Sequence, residues 1–475
     1  MDGRHPRGLL PAATVLWLAG VSACGASSTP KAPPPPPACT LPAPKASALP
    51  AAVGGFTQVL HLGTFTVGET ATFQVPAGVA SVTLVEQGVD TSQAETVEIS
   101  GQSYGNTVFP NTIAVGGTHI FDVYPDAINP PADPSSLRAY YFTDAVWAGA
   151  MTLPNTSSML ASGVPNGSWA VVVSDFAHEC GGISNCSLAY AYPASQYDLT
   201  VILKQGPAPA TGSLAVVFYL LTTEWDSFAD PAAAAAASPG VQRMVASLKT
   251  LLGRAGVAAT ATFQDLPASV KAHFATGVNA EDSSPCGDLA TLFQNSAPGV
   301  TMNLFLVDRI TSTSHQGGTT TVGVDGTIPG PASVNGTVQS GAVVSVADVA
   351  SVTGCGGTVD PMGCGPDEVA YIAAHETGHF LGLYHPTEFD GTLFDPLKDT
   401  AQCPCSSCRP AGASLACQAP GGSSTNVYAM TGRDCVASAS CGGGDDLMFW
   451  VISSASAGTI SAEQAQVMRA SPVVQ

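Results

Sequence analysis

The sequence contains few charged residues and very few basic ones. Asp, Glu, Lys and Arg together make up 11% of the 475 residues, and 15 Lys and Arg stand against 35 Asp and Glu. The formal net charge of −20 argues against nucleic acid and anionic lipid surfaces as partners, because both attract basic patches. So small a charged fraction also argues against an architecture of long exposed helices.

Long apolar stretches are also scarce. Beyond the first 23 residues, no apolar run is long and uninterrupted enough to span a bilayer, so we expect the remainder to be soluble. Glycine and proline are abundant instead, with 50 and 37 copies, which predicts a β-rich and loop-rich protein. A chain of 475 residues is long enough for two or three domains.

Residues 1–23 have the parts of a bacterial signal peptide: a basic start, a short apolar core, and small residues ahead of Cys24. Small residues before a cysteine are typical of a lipobox, in which Cys24 is lipidated and becomes the first mature residue. The alternative is an ordinary secretory cleavage nearby, because Val21 stands where a lipobox usually has Leu. Both predict export, either as a cell-surface or outer-membrane lipoprotein that touches the membrane only through its anchor, or as a secreted protein.

Two segments follow the predicted signal peptide: a tether and then a strand-rich domain. Residues 24–50 are rich in Pro, Ala and Ser and predict an extended tether without a fold. Residues 51–205 contain short alternating segments separated by turn residues, which predicts an antiparallel β-sandwich. The predicted strands lie at 65–75, 79–87, 96–99, 119–124, 169–175 and 197–203.

The 13 cysteines fit an oxidising compartment. If Cys24 carries lipid, twelve remain, which could form six disulfides. Close spacing favours the pairs Cys180 with Cys186 and Cys355 with Cys364.

Six further cysteines crowd into residues 403–441, a Cys-rich insert. Cys403, Cys405 and Cys408 have a spacing that could bind a metal or form disulfides. We favour disulfides, because thiolates in an oxidising space usually pair and no second Cys-x-x-Cys matches the run.

A Gly- and Pro-rich linker near 206–212 precedes a change of pattern. Residues 212–475 predict a mixed α+β domain, in which a buried strand, an amphipathic helix and further strands come before a second apolar strand at 341–348. Two turn-rich segments lead to that last strand. The first four elements are predicted at 214–221, 239–255, 259–264 and 301–307.

One motif in this domain carries chemistry: His375-Glu376-x-x-His379-x-x-Gly382-x-x-His385. Residues four apart share one face of an α-helix, so His375 and His379 can present two imidazole nitrogens to one Zn²⁺. Glu376 lies beside the metal, where a carboxylate can take a proton from bound water. Gly382 can adopt positive φ and let the chain return His385 as third ligand. An open fourth position is typical of a catalytic site.

The residues ahead of the motif predict a buried and rigid helix. Pro366 suits the first helical turn, and Asp367 and Glu368 complement the helix dipole there. A small apolar run rich in alanine then continues to the first histidine.

The extended motif resembles that of the metzincin zinc proteases, and residues 212–475 are most similar to their pappalysin-like family. After His385 come an acidic, Gly-containing loop and the run Asp395-x-x-x-Asp399-Thr400, both of which that family shares. The resemblance implies a catalytic domain with a twisted sheet, a backing helix and an active-site helix, with one zinc ion and a protein or peptide substrate. The N-terminal sandwich is similar to the jelly-roll accessory domains that accompany secreted bacterial proteases.

Metzincins also place a methionine in a tight turn beneath the zinc, and Met430 and Met448 are both candidates. We favour Met448, because a short polar lead, two following aromatics and a last predicted helix resemble the family's final turn. Some relatives carry Tyr two residues after this Met, where Trp450 stands here, so a phenol from that position cannot stabilise the oxyanion.

The resemblance also predicts which strand aligns the substrate. In the family, the strand before the metal helix forms the lower edge of the cleft, and an edge strand offers free N–H and C=O groups to an extended peptide. The Cys-rich insert is expected to form a disulfide-linked wall on the primed side. The strand residues predicted for the substrate edge are Gly341, Ala342, Val343, Val344, Ser345 and Val346.

The sequence therefore predicts an exported, monomeric zinc endopeptidase in which Glu376 is the general base. The alternative is a surface adhesin or binding protein whose zinc site is only a scaffold. Glu376 argues against that alternative, because structural zinc needs no general base.

Two further features leave alternatives open. Asp390, Asp395 and Asp399 could bind structural Ca²⁺ or cap turns, and turn use is favoured because no complete calcium loop is visible. Cys39 could block the zinc in a latent precursor, or it could form a disulfide.

Overall fold

The computed structural model describes most of the chain from residue 57 to residue 475, and the described residues fall within one compact unit, Thr40–Gln475. The predicted signal peptide, the tether, Cys24 and Cys39 lie outside the described residues. Residues left undescribed within the range are 90–96, 100–101, 105–106, 123–147, 181–185, 190–195, 222–230, 281–286, 298–299, 312–320, 326–340, 347–348, 350, 393 and 419–426.

Short strands and one helix, α1 (Ser157–Ser162), form the N-terminal part of the described chain. The strands are β1 (Thr57–Thr66), β2 (Thr70–Val75), β3 (Val79–Gly88), β4 (Val97–Ile99), β5 (Gln102–Tyr104), β6 (Thr107–Val115), β7 (Thr118–Asp122), β8 (Ala148–Leu153), β9 (Gly167–Cys180), β10 (Cys186–Ala189) and β11 (Gln196–Gln205). They form one antiparallel sheet of order β1-β11-β3-β8, a second of order β10-β9-β6-β7 in which β2 also pairs with β9, and a small β4-β5 ladder.

The two larger antiparallel sheets share one hydrophobic core. Along β2, buried Ala71, Phe73 and Val75 alternate with exposed residues, as a sheet with one buried face requires. Trp169 of β9 and Tyr197 of β11 come from different sheets and are both fully buried in this core. The antiparallel sheets predicted for residues 51–205 are confirmed, except that the strand predicted at 65–75 is divided between β1 and β2. The likeness to a jelly roll stays a prediction.

A mixed sheet forms the centre of the C-terminal part. Its order is β13-β12-β15-β18-β17, with parallel pairing from β13 to β18 and antiparallel pairing of β17. A separate short parallel ladder joins β14 to β16. The strand bounds are β12 (Gly212–Leu220), β13 (Val257–Asp265), β14 (Val278–Asn279), β15 (Met302–Val307), β16 (Ile310–Thr311), β17 (Gly323–Asp325) and β18 (Ala342–Ser345).

The predicted substrate edge is wrong in its position. β18, which occupies the strand predicted at 341–346, pairs with β15 on one side and β17 on the other and is therefore interior. Leu304 and Gly323 flank it, opposite Ala342 and Val344. Among the described strands the edge is β17, which has only three residues and lies between the two turn-rich segments. So short a strand leaves no alternation in the sequence to detect.

Eight α-helices belong to the C-terminal part of the described chain. Helix α3 begins where Ser238 accepts a hydrogen bond from Val241 N (3.3 Å), and Gly256 follows its end with φ of 74°. Helices α3 and α6 pack on each other and on the sheet in one core. The bounds are α2 (Pro231–Ala237), α3 (Pro239–Arg254), α4 (Ala268–His273), α5 (Asp288–Phe293), α6 (Gly365–Phe380), α7 (Cys405–Cys408), α8 (Gly432–Ala437) and α9 (Ala462–Ala470).

Four disulfides lie in the described part of the chain. Cys355 bonds to Cys364, as predicted, just ahead of α6. The insert at 403–441 is linked by Cys403–Cys441, Cys405–Cys417 and Cys408–Cys435, which confirms the disulfide interpretation of that run. The register of β9 and β10 pairs Cys186 with Cys180, and the side chains of these two lie outside the described residues.

The helices that the structure describes include none with both the length and the apolar character needed to cross a membrane.

Candidate metal centre

Helix α6 is almost entirely buried and is fixed at its start by a carboxylate. Asp367 in its first turn is fully buried and accepts hydrogen bonds from Arg243 Nε and Nη2 (both 2.7 Å), Ser247 Oγ and the backbone N of Asp360 (2.8 Å). Burial alone would raise the pKa of Asp367, but these hydrogen bonds and the Arg243 charge outweigh it and hold the pKa below its usual value. The first turn of the helix is thereby held against α3.

The three motif histidines meet at one point. His375 Nε2 lies 3.1 Å from His379 Nε2 and 3.2 Å from His385 Nε2, and the remaining His379–His385 distance is 3.1 Å. Three nitrogens bound to one tetrahedral zinc at 2.0–2.1 Å would lie roughly 3.3 Å apart, so the triangle has the right size. A metal ion can be held by these three side chains.

The second ring nitrogens fix the direction of each imidazole. His375 Nδ1 lies 2.8 Å from Leu447 O and His379 Nδ1 lies 2.7 Å from Leu383 O. A carbonyl oxygen can only accept, so each Nδ1 carries the proton and each Nε2 lone pair faces the common centre. His385 Nδ1 lies 3.0 Å from Glu388 Oε1, a carboxylate that serves the same purpose.

Burial keeps the two helical histidines neutral. Burial and the neighbouring His385 charge lower the pKa of His375 to about 3, against a smaller opposite effect of the Leu447 carbonyl. Burial and the two neighbouring histidines lower the pKa of His379 well below its usual value. Three lone pairs directed at each other repel unless a cation lies between them, so this donor set fits a zinc ion.

A tight turn after α6 brings in the third histidine. The helix ends at Phe380, and Gly382 takes φ of 112°, which strains any residue with a side chain. Gly382 N donates to His379 O (2.9 Å) and Leu383 N donates to Gly378 O (3.0 Å). The geometry predicted for Gly382 is confirmed.

Glu376 lies against the edge strand of the mixed sheet. Its side chain is on the helix that carries His375, and the residue is only 7% exposed. A Cβ placed on Gly323 of β17 would collide with Glu376 Oε1 and with Ile372 Cγ2. The edge strand therefore passes directly over the candidate base, a contact that the sequence did not predict.

Met448 packs against the metal helix between its two histidines. A Cβ on Gly378 would collide with Met448 Sδ, and Met448 itself is fully buried. Its backbone N donates to Asp446 Oδ1 (2.7 Å), and the preceding residue supplies the carbonyl that holds His375. Met430 instead belongs to the core of the Cys-rich insert, near Gly391.

Trp450 does not replace the missing phenol. Its Nε1 donates to Met430 O (2.8 Å), and its ring makes an edge contact with Phe389 at a centroid distance of 6.0 Å. The indole N–H therefore forms its hydrogen bond with the Cys-rich insert.

The aspartates considered for calcium are engaged in turns and caps. Asp390 Oδ1 accepts from Thr392 N (3.0 Å) and Asp399 accepts from Ser461 Oγ (2.6 Å) and Glu463 N (2.8 Å) at the start of α9. Asp395 Oδ1 accepts from Thr400 Oγ1 (2.5 Å).

Apart from the histidines, one other group among the described residues has metal-ligand spacing: Cys403, Cys408 and Cys435. Cys403 is bonded to Cys441, and the other two are bonded to each other. These sulfurs are therefore not thiolates, and the three histidines are the candidate metal centre.

The sequence alone identified the three candidate ligand histidines and Glu376. It did not identify the groups that orient the histidine rings. Leu383 and Leu447 act through their carbonyls, which no side-chain pattern can reveal. Glu388 had a signal, since an acid three residues beyond the last histidine is within reach of its ring.

Comparison with models of known protein families and with curated proteins found no match. The family resemblance stays a prediction that rests on the motif residues.

Proposed function

We propose that this chain is an exported zinc endopeptidase of the metzincin type, with the pappalysin-like family as its nearest resemblance. The observation that carries the proposal is the convergence of three imidazoles, two of them on the same helix as a buried glutamate. A structural zinc site has no use for that glutamate. The substrate class we propose is a protein or peptide.

His375, His379 and His385 would hold the zinc. When bound, zinc supplies Lewis acidity, which polarises the scissile carbonyl and lowers the pKa of a bound water. The chain's own contribution is to orient the three rings through Leu447 O, Leu383 O and the Glu388 carboxylate.

Glu376 is the proposed general base and acid. It takes a proton from the water that attacks the scissile carbonyl and later gives that proton to the leaving amine. Its buried position against Gly323 limits the carboxylate to few orientations, which favours one geometry for both transfers.

The substrate-aligning role moves from β18 to β17. Among the described strands β17 is the edge of the mixed sheet, the position at which an extended peptide can add as a further strand. The proximity of Gly323 to Glu376 supports this role, because a peptide paired with β17 would run past the proposed base.

The Cys-rich insert is the proposed wall of the cleft beyond His385. Cys403 N donates to Thr387 Oγ1 (2.9 Å) and Met430 N donates to Phe389 O (2.9 Å), so the insert rests on the loop that follows the third histidine. Its three disulfides would make that wall rigid, and together with Cys355–Cys364 they are compatible with export.

The test is cleavage of an unfolded protein by the purified exported chain, with and without a zinc chelator, alongside Glu376→Gln. We expect chelator-sensitive cleavage, a fall of about 10²–10⁴-fold in the variant, and one zinc per chain in both. If the folded, zinc-loaded wild type cleaves nothing in a broad peptide library, the proposal fails and a surface binding protein with a zinc scaffold becomes the better explanation.

A further inference from the structure

Tyr384 connects the metal centre to the N-terminal sheets. It lies between Leu383, whose carbonyl holds His379, and His385, the third histidine. Its side chain is not in the core of the mixed sheet; it is 9% exposed and packs into the core that the two antiparallel sheets share. The Tyr384 side chain therefore anchors in that core the segment that carries His385 and the Leu383 carbonyl, which orients His379.

The turn before Tyr384 is also enclosed by the N-terminal part. A Cβ on Gly382 would lie 3.8 Å from Thr152 Cβ of β8 and 3.2 Å from Val467 Cγ1 of α9. Thr152 is buried and shares a 2.8 Å hydrogen bond with Thr83 across the sheet. The turn is thus packed between β8 and the last helix.

Polar contacts hold that last helix to the same sheet. Lys204, at the end of β11, is 6% exposed, and its Nζ donates to Arg469 O (2.6 Å), Ser471 O (3.0 Å) and Val474 O (2.7 Å). A buried ammonium with three carbonyl acceptors is fully satisfied only while the two parts stay together. Three buried hydrogen bonds from one ammonium group are typical of two parts of a protein that stay packed together.

A second polar contact lies at the other end of α9. Ser157, the first residue of α1, donates from its Oγ to Glu463 and accepts there from Lys398 N (2.7 Å), while Ser157 N donates to Pro396 O (3.3 Å). The N-terminal part therefore also contacts the loop that follows the third histidine.

We propose that the N-terminal sheets are a fixed structural half of the metal centre, and that Tyr384 is the positioning residue through which they hold His385. The ring does this by packing, since the buried Tyr384 hydroxyl has no hydrogen-bond partner in the described part of the chain. Loss of the ring frees the turn, and zinc is then held mainly by the two helical histidines. This inference rests on the metal site of the proposed function and does not depend on peptide hydrolysis.

The test compares Tyr384→Phe and Tyr384→Ala in the full exported chain. The zinc Kd is measured by competition with a chelator, and the visible spectrum of the cobalt-loaded chain reports ligand geometry. Tyr384→Phe keeps the ring, so zinc affinity and spectrum should match the wild type. Tyr384→Ala should weaken zinc binding about 10-fold or more and change the cobalt spectrum.

Phe73→Ala is the matched control, because Phe73 lies in the same core but on β2. It should lower the melting temperature as Tyr384→Ala does, yet leave the zinc Kd unchanged. Equal loss of affinity in both alanine variants, or none in Tyr384→Ala, overturns the proposal.

If Tyr384→Ala does not fold, Tyr384→Leu takes its place with the same expected order of zinc affinity. A folded wild type that binds no zinc contradicts the metal site itself, whereas a wild type that binds zinc but cleaves nothing contradicts only the protease activity. Failure of this inference is therefore distinguishable from failure of the proposed function.

Discussion

Gly323 lies so close to Glu376 that a single methyl group on the glycine would displace the carboxylate. The contact joins the edge of the mixed sheet to the proposed general base, two elements that lie far apart in the sequence. Because β17 and Glu376 are in contact, a substitution that moves β17 should also move the Glu376 carboxylate and change the rate of catalysis.

Gly323→Ala should therefore impair catalysis while zinc stays bound. The new Cβ collides with Glu376 Oε1 and Ile372 Cγ2, and a small displacement of a catalytic group lowers kcat by about 10–100-fold. Steady-state kinetics with a measured zinc content check this. The matched control is Gly253→Ala, where a Cβ meets nothing within 4 Å on a helix, and activity should be unchanged. Full activity in Gly323→Ala would show that the strand does not confine the base.

Glu388 should set zinc affinity through His385. Its carboxylate lies 3.0 Å from His385 Nδ1, and loss of such a partner lowers metal affinity by about 10–100-fold. Glu388→Gln keeps an acceptor oxygen and should lose less than Glu388→Ala. Chelator competition on the three proteins gives the ranking, and equal affinities would contradict the positioning role.

Arg243 should be a major contributor to stability. It lies on α3 and forms two hydrogen bonds with Asp367, which is fully buried on the metal helix. Arg243→Leu leaves a buried carboxylate without its main partner and should lower the free energy of unfolding by about 2–4 kcal/mol. The double variant Arg243→Leu with Asp367→Asn should recover part of that loss in denaturant unfolding. A single variant as stable as the wild type would show that the pair contributes little.

Titration of Asp446 should lower the free energy of unfolding as pH rises. Burial raises the pKa of Asp446 to about 7, opposed by hydrogen bonds from Met448 N and Gln464 and assisted by the charges of Asp445 and Asp399. The folded chain thus holds a proton that the unfolded chain has released. This stabilising effect is complete below about pH 4 and is lost as pH rises through about 7.

Asp446→Asn removes that titration and retains an acceptor oxygen for Met448 N and Gln464 Nε2. The melting temperature of the variant should be close to that of the wild type at pH 5 and higher than that of the wild type at pH 8, with both proteins at the same zinc concentration. A difference between the two proteins that is the same at both pH values would contradict the raised pKa.

Local sequence patterns determined a large part of the fold. Alternation located β2, β3, β9 and β11, and the spacing of Val241, Met244 and Leu248 located α3. The pattern failed for β6, where Pro110 and Asn111 interrupt it at a register shift, and for the short, small-residue strand β8. The predicted strand at 65–75 is in fact two, because Gly68 turns the chain with φ of 84°.

The sequence by itself determined the ligands of the candidate metal centre, since His375, His379 and His385 lie within eleven residues and helical geometry alone brings the first two together. It also predicted that the cysteines of the Cys-rich insert form disulfides, while the structure decided which of them pair. Only the tertiary structure decided that β17 is the edge over Glu376 and that Leu447 O turns His375. It alone placed Tyr384 in the core of the N-terminal sheets. These are contacts between distant segments, and periodicity along a chain carries no information about which distant surfaces meet.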